Sequence, residues 1–150
     1  MSGYKGYLST RPFGGDRVPQ HVQNIVIRDY CSKKGIHYLL SATEYAMENS
    51  ALILRQLIND LPSIDGIVAY SIFQMPEDDT ERQSIFNSIL SSKKEIHFAV
   101  EGLSLYDNES YSQIENIWQV KKTIPHCNFL EIINLLDPDL EDPSGITLGG

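Results

Sequence analysis

Residues 9 to 20, Ser-Thr-Arg-Pro-Phe-Gly-Gly-Asp-Arg-Val-Pro-Gln, place hydroxyls, two arginines and a glycine pair between a run of β-formers and a helical pattern. Glycines let backbone N–H groups approach an anion, a helix N-terminus favours negative charge, and guanidinium forks bind phosphate or carboxylate. Ser9, Thr10, Arg11, Gly14, Gly15, Arg17 and Gln20 therefore make a candidate anion-binding loop. The same glycines and prolines also serve turn geometry, and Gly14-Gly15 is neither a Walker loop nor a dinucleotide fingerprint. Two carboxylates fall in comparable places: Glu44 after the second apolar run and Glu101 after the fourth would handle a proton if their loops converge. Ser71 and Gln74, leaving the most apolar run, offer a hydroxyl and a carboxamide to a ligand. Ser9 could act as a nucleophile, but His21 and His37 show no partner pattern that would make either a base. The four histidines and two cysteines have no metal-ligand spacing, and the acidic run Glu77–Asp79 suits a helix N-terminus better than a metal. No metal and no cofactor is expected.

The 150 residues carry 20 acidic against 12 basic side chains, a net charge of −8. Proteins that bind nucleic acid usually present a basic face, so this balance points to a small molecule and away from DNA or RNA. No apolar run approaches the ~20 residues that span a bilayer, and no basic and apolar leader opens the chain. A cytoplasmic protein without a membrane partner, with Cys31 and Cys127 buried and reduced, is the expectation. One α/β domain over residues 1–136 should be followed by an acidic, glycine-rich tail over 137–150.

These side chains need a scaffold, and the pattern that supplies one is the alternation of β-rich runs with helical stripes. The strands are expected at 4–9, 36–42, 65–73 and 95–102. The first helix, from Val18 to Lys34, has Val22, Ile25, Val26 and Tyr30 as its apolar stripe and Gly35 as its stop. A second covers 48–60, capped at Asn49 or Ser50, with Leu54, Leu57 and Ile58 inward. A third carries Ile85 and Ile89; a fourth starts at a Ser112–Glu115 capping box ahead of Ile114, Ile117 and Trp118; a fifth follows Asn128. The fold class is thus a doubly wound, mostly parallel sheet of four or five strands with helices on both faces. Ligands in such sheets bind outside the carboxyl ends of the strands, which nominates loops 9–20, 42–48, 71–80 and 101–108. A self-complementary face on 111–122 or on the last helix would allow a homo-oligomer.

Over residues 5–105 the order of GYLST, YCSKKG, LILRQLIND, IDGIVAYSIFQMP and IHFAVEGLSL resembles the catalytic domain of serine recombinases and resolvases. The resemblance implies a nucleophile at Ser9 or Thr10, Gln20 or Gln23 on the first helix, and Arg55 on the second. Phe73 and Gln74 stand where that family has an Asp-Arg pair, and the arginine expected within the first strand is missing. A shared fold without recombination is the inference. GYLSTRPFGGDRVPQHVQNIVIRDYC with IDGIVAYSIFQMP also resembles the sporadic carbohydrate cluster family, bacterial proteins encoded among surface-polysaccharide and sugar-biosynthesis genes, over residues 4–135. That likeness implies a role in making an unusual sugar; the arginine-bearing loop suits a phosphosugar or nucleotide-sugar, and the side chains at hand suit a non-redox step such as isomerisation, epimerisation or elimination. Arg11 and Arg17 would hold the anion, Ser9 and Gln74 the hydroxyls, and Glu44 or Glu101 the proton. The other readings are a DNA-cleaving recombinase relative and a non-catalytic partner subunit of a sugar-biosynthesis enzyme.

Overall fold

The computed structural model describes residues 3–10, 12, 13, 17–44 (Glu44 by its backbone alone) and 52–136. The strands are β1 Tyr4–Ser9, β2 Tyr38–Glu44, β3 Gly66–Ala69, β4 Glu95–Phe98 and β5 Leu103–Leu105. The helices are α1 Gln20–Lys34, α2 Leu52–Asn59, α3 Asp79–Ser91, α4 Asn108–Thr123 and α5 Phe129–Leu136. One sheet runs in the order β2-β1-β3-β4-β5, with β5 antiparallel to β4 and all other pairs parallel. This is the expected doubly wound sheet, with the optional fifth strand present. From β1 the chain goes outward to β2 and then back past β1 to β3, so the winding reverses between β1 and β3. Right-handed crossovers then put α1 on one face and α2 and α3 on the other.

On the α1 face, Leu8, Val68, Ile27 and Cys31 form a buried cluster. The helix ends because Gly35 takes φ 67°, letting Ile36 N–H reach Cys31 O at 2.8 Å. Its buried side chains are Gln23, Ile27 and Cys31, whereas Ile25 of the expected stripe is 63% exposed. The helix is turned by a polar residue: Gln23 takes a core position because it hydrogen-bonds there. In α2, Leu54 and Leu57 are buried as expected; Asn49 and Ser50 lie outside the described residues.

Several expected boundaries shift, β2 from 36–42 to 38–44 among them, and three of the shifts have a visible local cause. β3 stops at Ala69 because Ser71 turns the chain into a short 3-10 helix, Ile72–Gln74, by accepting from Phe73 N–H at 3.2 Å. β4 stops at Phe98, and a turn with Gly102 at φ 67° starts β5. α4 begins at Asn108, ahead of the expected Ser112–Glu115 box, because Asp107 Oδ1 accepts from Ser110 N–H at 2.8 Å. Ile114, Ile117 and Trp118 are nevertheless buried, and Asn128 Oδ1 accepts from Glu131 N–H at 2.8 Å at the start of α5.

The chain divides into two compact units, residues 1–110 and 111–150. In the second, Lys121 Nζ donates to Cys127 O at 2.9 Å. The expected tail, 137–150, lies outside the described residues. Among them no helix is long and apolar enough to cross a membrane, and Cys31 and Cys127 are free and buried.

Candidate functional site at the carboxyl ends of β1 and β3

The reversal of winding brings the end of β1 beside the end of β3, and two buried carboxamides join them. Gln23, projecting from α1, accepts from Ser9 N–H through Oε1 at 3.0 Å and donates through Nε2 to Ser9 O at 2.7 Å and to Val18 O at 2.8 Å. Gln74 accepts through Oε1 from Tyr70 N–H at 2.8 Å and Ser71 N–H at 3.0 Å, and its Nε2 donates to Gln23 Oε1 at 2.9 Å. Ser9, Gln23 and Gln74 each have no exposed surface. Buried amides left unpaired are costly, so a network with these bonds made fixes one arrangement. The Ser9 hydroxyl is the exception: among the described residues, Ser9 Oγ is a buried side-chain oxygen without a hydrogen-bond partner.

A second tie runs from β3 to the β4–β5 turn. Ser71 Oγ donates to Glu101 Oε2 at 2.8 Å, and Ile72 N–H donates to Oε1 at 2.9 Å. Burial pushes the Glu101 carboxyl above its ordinary pKa, against the lowering effect of those two donors. The loop after β3 is pinned from below by Arg82 of α3, fully buried, which donates to Pro76 O and Glu77 O at 3.1 Å each and to Asp79 Oδ1 at 2.8 Å.

Four of the residues singled out from sequence, Ser9, Ser71, Gln74 and Glu101, therefore belong to two linked networks at this end of the sheet. Glu44 ends β2 as the register partner of Ser9. Thr10 follows directly, while Arg17 and Gln20 are exposed where the chain enters α1. Arg11, Gly14 and Gly15 lie outside the described residues. Arg55 is exposed, pairs with Glu81 at 3.3 Å and lines a groove of about 290 Å³ with Ile58, Asn59, Ser84, Ile85 and Ser88. Gln23 is central here, yet its residue type and spacing did not single it out; only the recombinase resemblance did, as an alternative to Gln20. Among the described residues no group of three or more His, Cys, Asp or Glu side chains is placed to hold a metal.

The architecture is a resolvase-like α/β fold. Among solved structures the chain is similar to the N-terminal catalytic domain of TP901-1 integrase, at 15% identity and a TM-score of 0.52, covering 79% of this chain and 94% of that one. No family model matches the chain, and no curated protein matches it. The sugar-biosynthesis expectation is corrected by this neighbour, the catalytic domain of an integrase, and with it go the phosphosugar or nucleotide-sugar ligand and the exclusion of nucleic acid. The charge balance does not carry the exclusion of nucleic acid. Of the net −8, Asp137, Asp139, Glu141 and Asp142 supply −4 from a stretch without Lys or Arg, and a whole-chain sum does not report the field at one loop.

Proposed function

We propose that this chain is a serine-recombinase-type domain that acts on a DNA phosphodiester, with Ser9 as its nucleophile. The observation that carries the reading is the state of Ser9: its backbone N–H and C=O are both held by Gln23, and its buried hydroxyl has no partner among the described residues. In the proposed step Ser9 Oγ bonds to phosphorus and the bond from phosphorus to the 3′ oxygen breaks. The serine proton ends on the departing 3′ oxygen, and the product is a 5′-phosphoserine linkage. Ser9 is fully buried in this state, so the reaction begins with its exposure.

With Phe73 and Gln74 in place of an Asp-Arg pair, the phosphate charge falls to the start of α1. Pro19 stands at its N-cap with no side-chain cap, which leaves backbone N–H groups for an anion, and Arg17 is exposed just before it. A DNA-acting role also fits a cytoplasmic location.

The test is incubation with a nicked duplex of random sequence, read by retention at increasing salt and by a denaturing gel. Salt-sensitive retention and a covalent protein–DNA band that disappears in Ser9→Ala are expected. Absence of retention at low salt removes the DNA reading; retention without a Ser9-dependent band removes cleavage.

A further inference from the structure

We propose that Gln74 is a positioning residue for Ser9, acting through Gln23, so that the end of the central strand sets the hydrogen-bond polarity around the candidate nucleophile. A carboxamide has a fixed hydrogen-bond sense: its oxygen only accepts and its nitrogen only donates. Gln74 faces two backbone N–H groups, of Tyr70 and Ser71, so its oxygen must turn toward them. Its nitrogen is thereby aimed at Gln23, which must present its own oxygen in return. That same Gln23 oxygen receives Ser9 N–H, and the Gln23 nitrogen is left facing the carbonyls of Ser9 and Val18.

Each amide thus has one satisfied orientation, decided in sequence from β3 to β1. Turning Gln23 over would set its nitrogen against the Gln74 nitrogen and Ser9 N–H, and its oxygen against two carbonyls. The consequence reaches the reaction because both backbone groups of Ser9 are occupied by this clamp, which fixes the residue whose hydroxyl is uncommitted. The catalytic part of this inference rests on the reading of Ser9 as nucleophile; the orienting part does not.

The experiment is amide hydrogen exchange by NMR on the full chain, comparing the parent with Gln74→Glu and Gln23→Leu. A glutamate at 74 keeps an acceptor for Tyr70 and Ser71 N–H but has no donor for Gln23. In Gln74→Glu the Ser9 amide should exchange about tenfold faster, as for loss of one buried hydrogen bond, with the Tyr70 and Ser71 amides unchanged. Gln23→Leu, which removes the acceptor outright, should speed Ser9 exchange at least as much. A Ser9 rate unchanged in Gln74→Glu overturns the relay, and so does an equal loosening at Tyr70 and Ser71, which marks Gln74 as locally structural. Should Gln74→Glu fail to fold, the parent protein still decides: slow exchange of the Gln74 Nε2 protons supports the relay and free exchange overturns it. Where the parent forms the DNA adduct, Gln74→Glu should lower the rate of adduct formation at unchanged DNA retention. An unchanged rate overturns the catalytic part, while a parent without adduct counts against the nucleophile reading and leaves the exchange result standing.

Discussion

The Ser71 hydroxyl donates to Glu101 Oε2 at 2.8 Å while the next backbone N–H, that of Ile72, donates to Oε1 at 2.9 Å, so one carboxylate grips the start of the 3-10 turn at two points. This joins the turn that carries Gln74 to the hairpin between β4 and β5.

Burial raises the Glu101 pKa, and the two donors only partly oppose it. A carboxyl with a raised folded-state pKa contributes stability that is fully present below its ordinary value and is lost as pH rises through the folded one. Glu101→Gln keeps an acceptor for Ile72 N–H and a polar contact with Ser71 but does not titrate. The melting temperature of Glu101→Gln should therefore rise relative to the parent as pH goes from about 4 to 7, since other carboxylates titrate in both and cancel. A constant or opposite difference across that range would refute the raised pKa.

The buried face of α1 makes a second prediction. Ile27 has no exposed surface and packs with Leu8, Cys31 and Val68, whereas Ile25, two residues earlier, is 63% exposed. Ile27→Ala should cost about 2–5 kcal/mol in urea unfolding, and Ile25→Ala should stay within about 0.5 kcal/mol of the parent. A larger loss for Ile25→Ala than for Ile27→Ala would mean that α1 sits with the apolar stripe read from the sequence.

That contrast shows where sequence reasoning reaches and where it stops. β1 was legible to the residue, Tyr4–Ser9, and the end of α1 at Gly35 likewise, because β-rich runs and left-handed stops are local properties. The rotation of α1 was not, because it depends on Gln23 meeting the ends of two strands that lie 14 and 51 residues away in sequence. β5 has three residues, too few for a period to register, and β3 ended early because Ser71 and Gln74 cap a turn inside an apolar run. Of the residues in the nominated loops, Ser9, Ser71, Gln74 and Glu101 meet in hydrogen-bonded networks. What those groups do to one another is set by hydrogen-bond direction, which composition does not encode. Whole-chain charge says little about partners for the same reason: it averages over the position that matters.

Gly66 supplies the last prediction, from the opposite end of the same strand. It begins β3 between Tyr4 of β1 and Glu95 of β4, its register partners on either side. A Cβ there would run into the backbone oxygen of Glu95 and stand 2.7 Å from the Tyr4 ring. The ring is itself held, since Tyr4 hydroxyl donates to Glu95 Oε1, which also meets His97 Nε2 at 2.8 Å, while Tyr30 hydroxyl joins His97 Nδ1 at 2.7 Å. Neither a strand backbone nor a ring held in this way has room to yield, so Gly66→Ala should cost at least the ~1–3 kcal/mol typical of overpacking. Gly102 is the control, because at φ 67° its hypothetical Cβ meets nothing within 4 Å, and Gly102→Ala carries only the left-handed backbone cost of about 1–2 kcal/mol. Measured as shifts in urea midpoint at constant m-value, Gly66→Ala should lose at least as much stability as Gly102→Ala. The reverse order would show that β1, β3 and β4 part easily at Gly66.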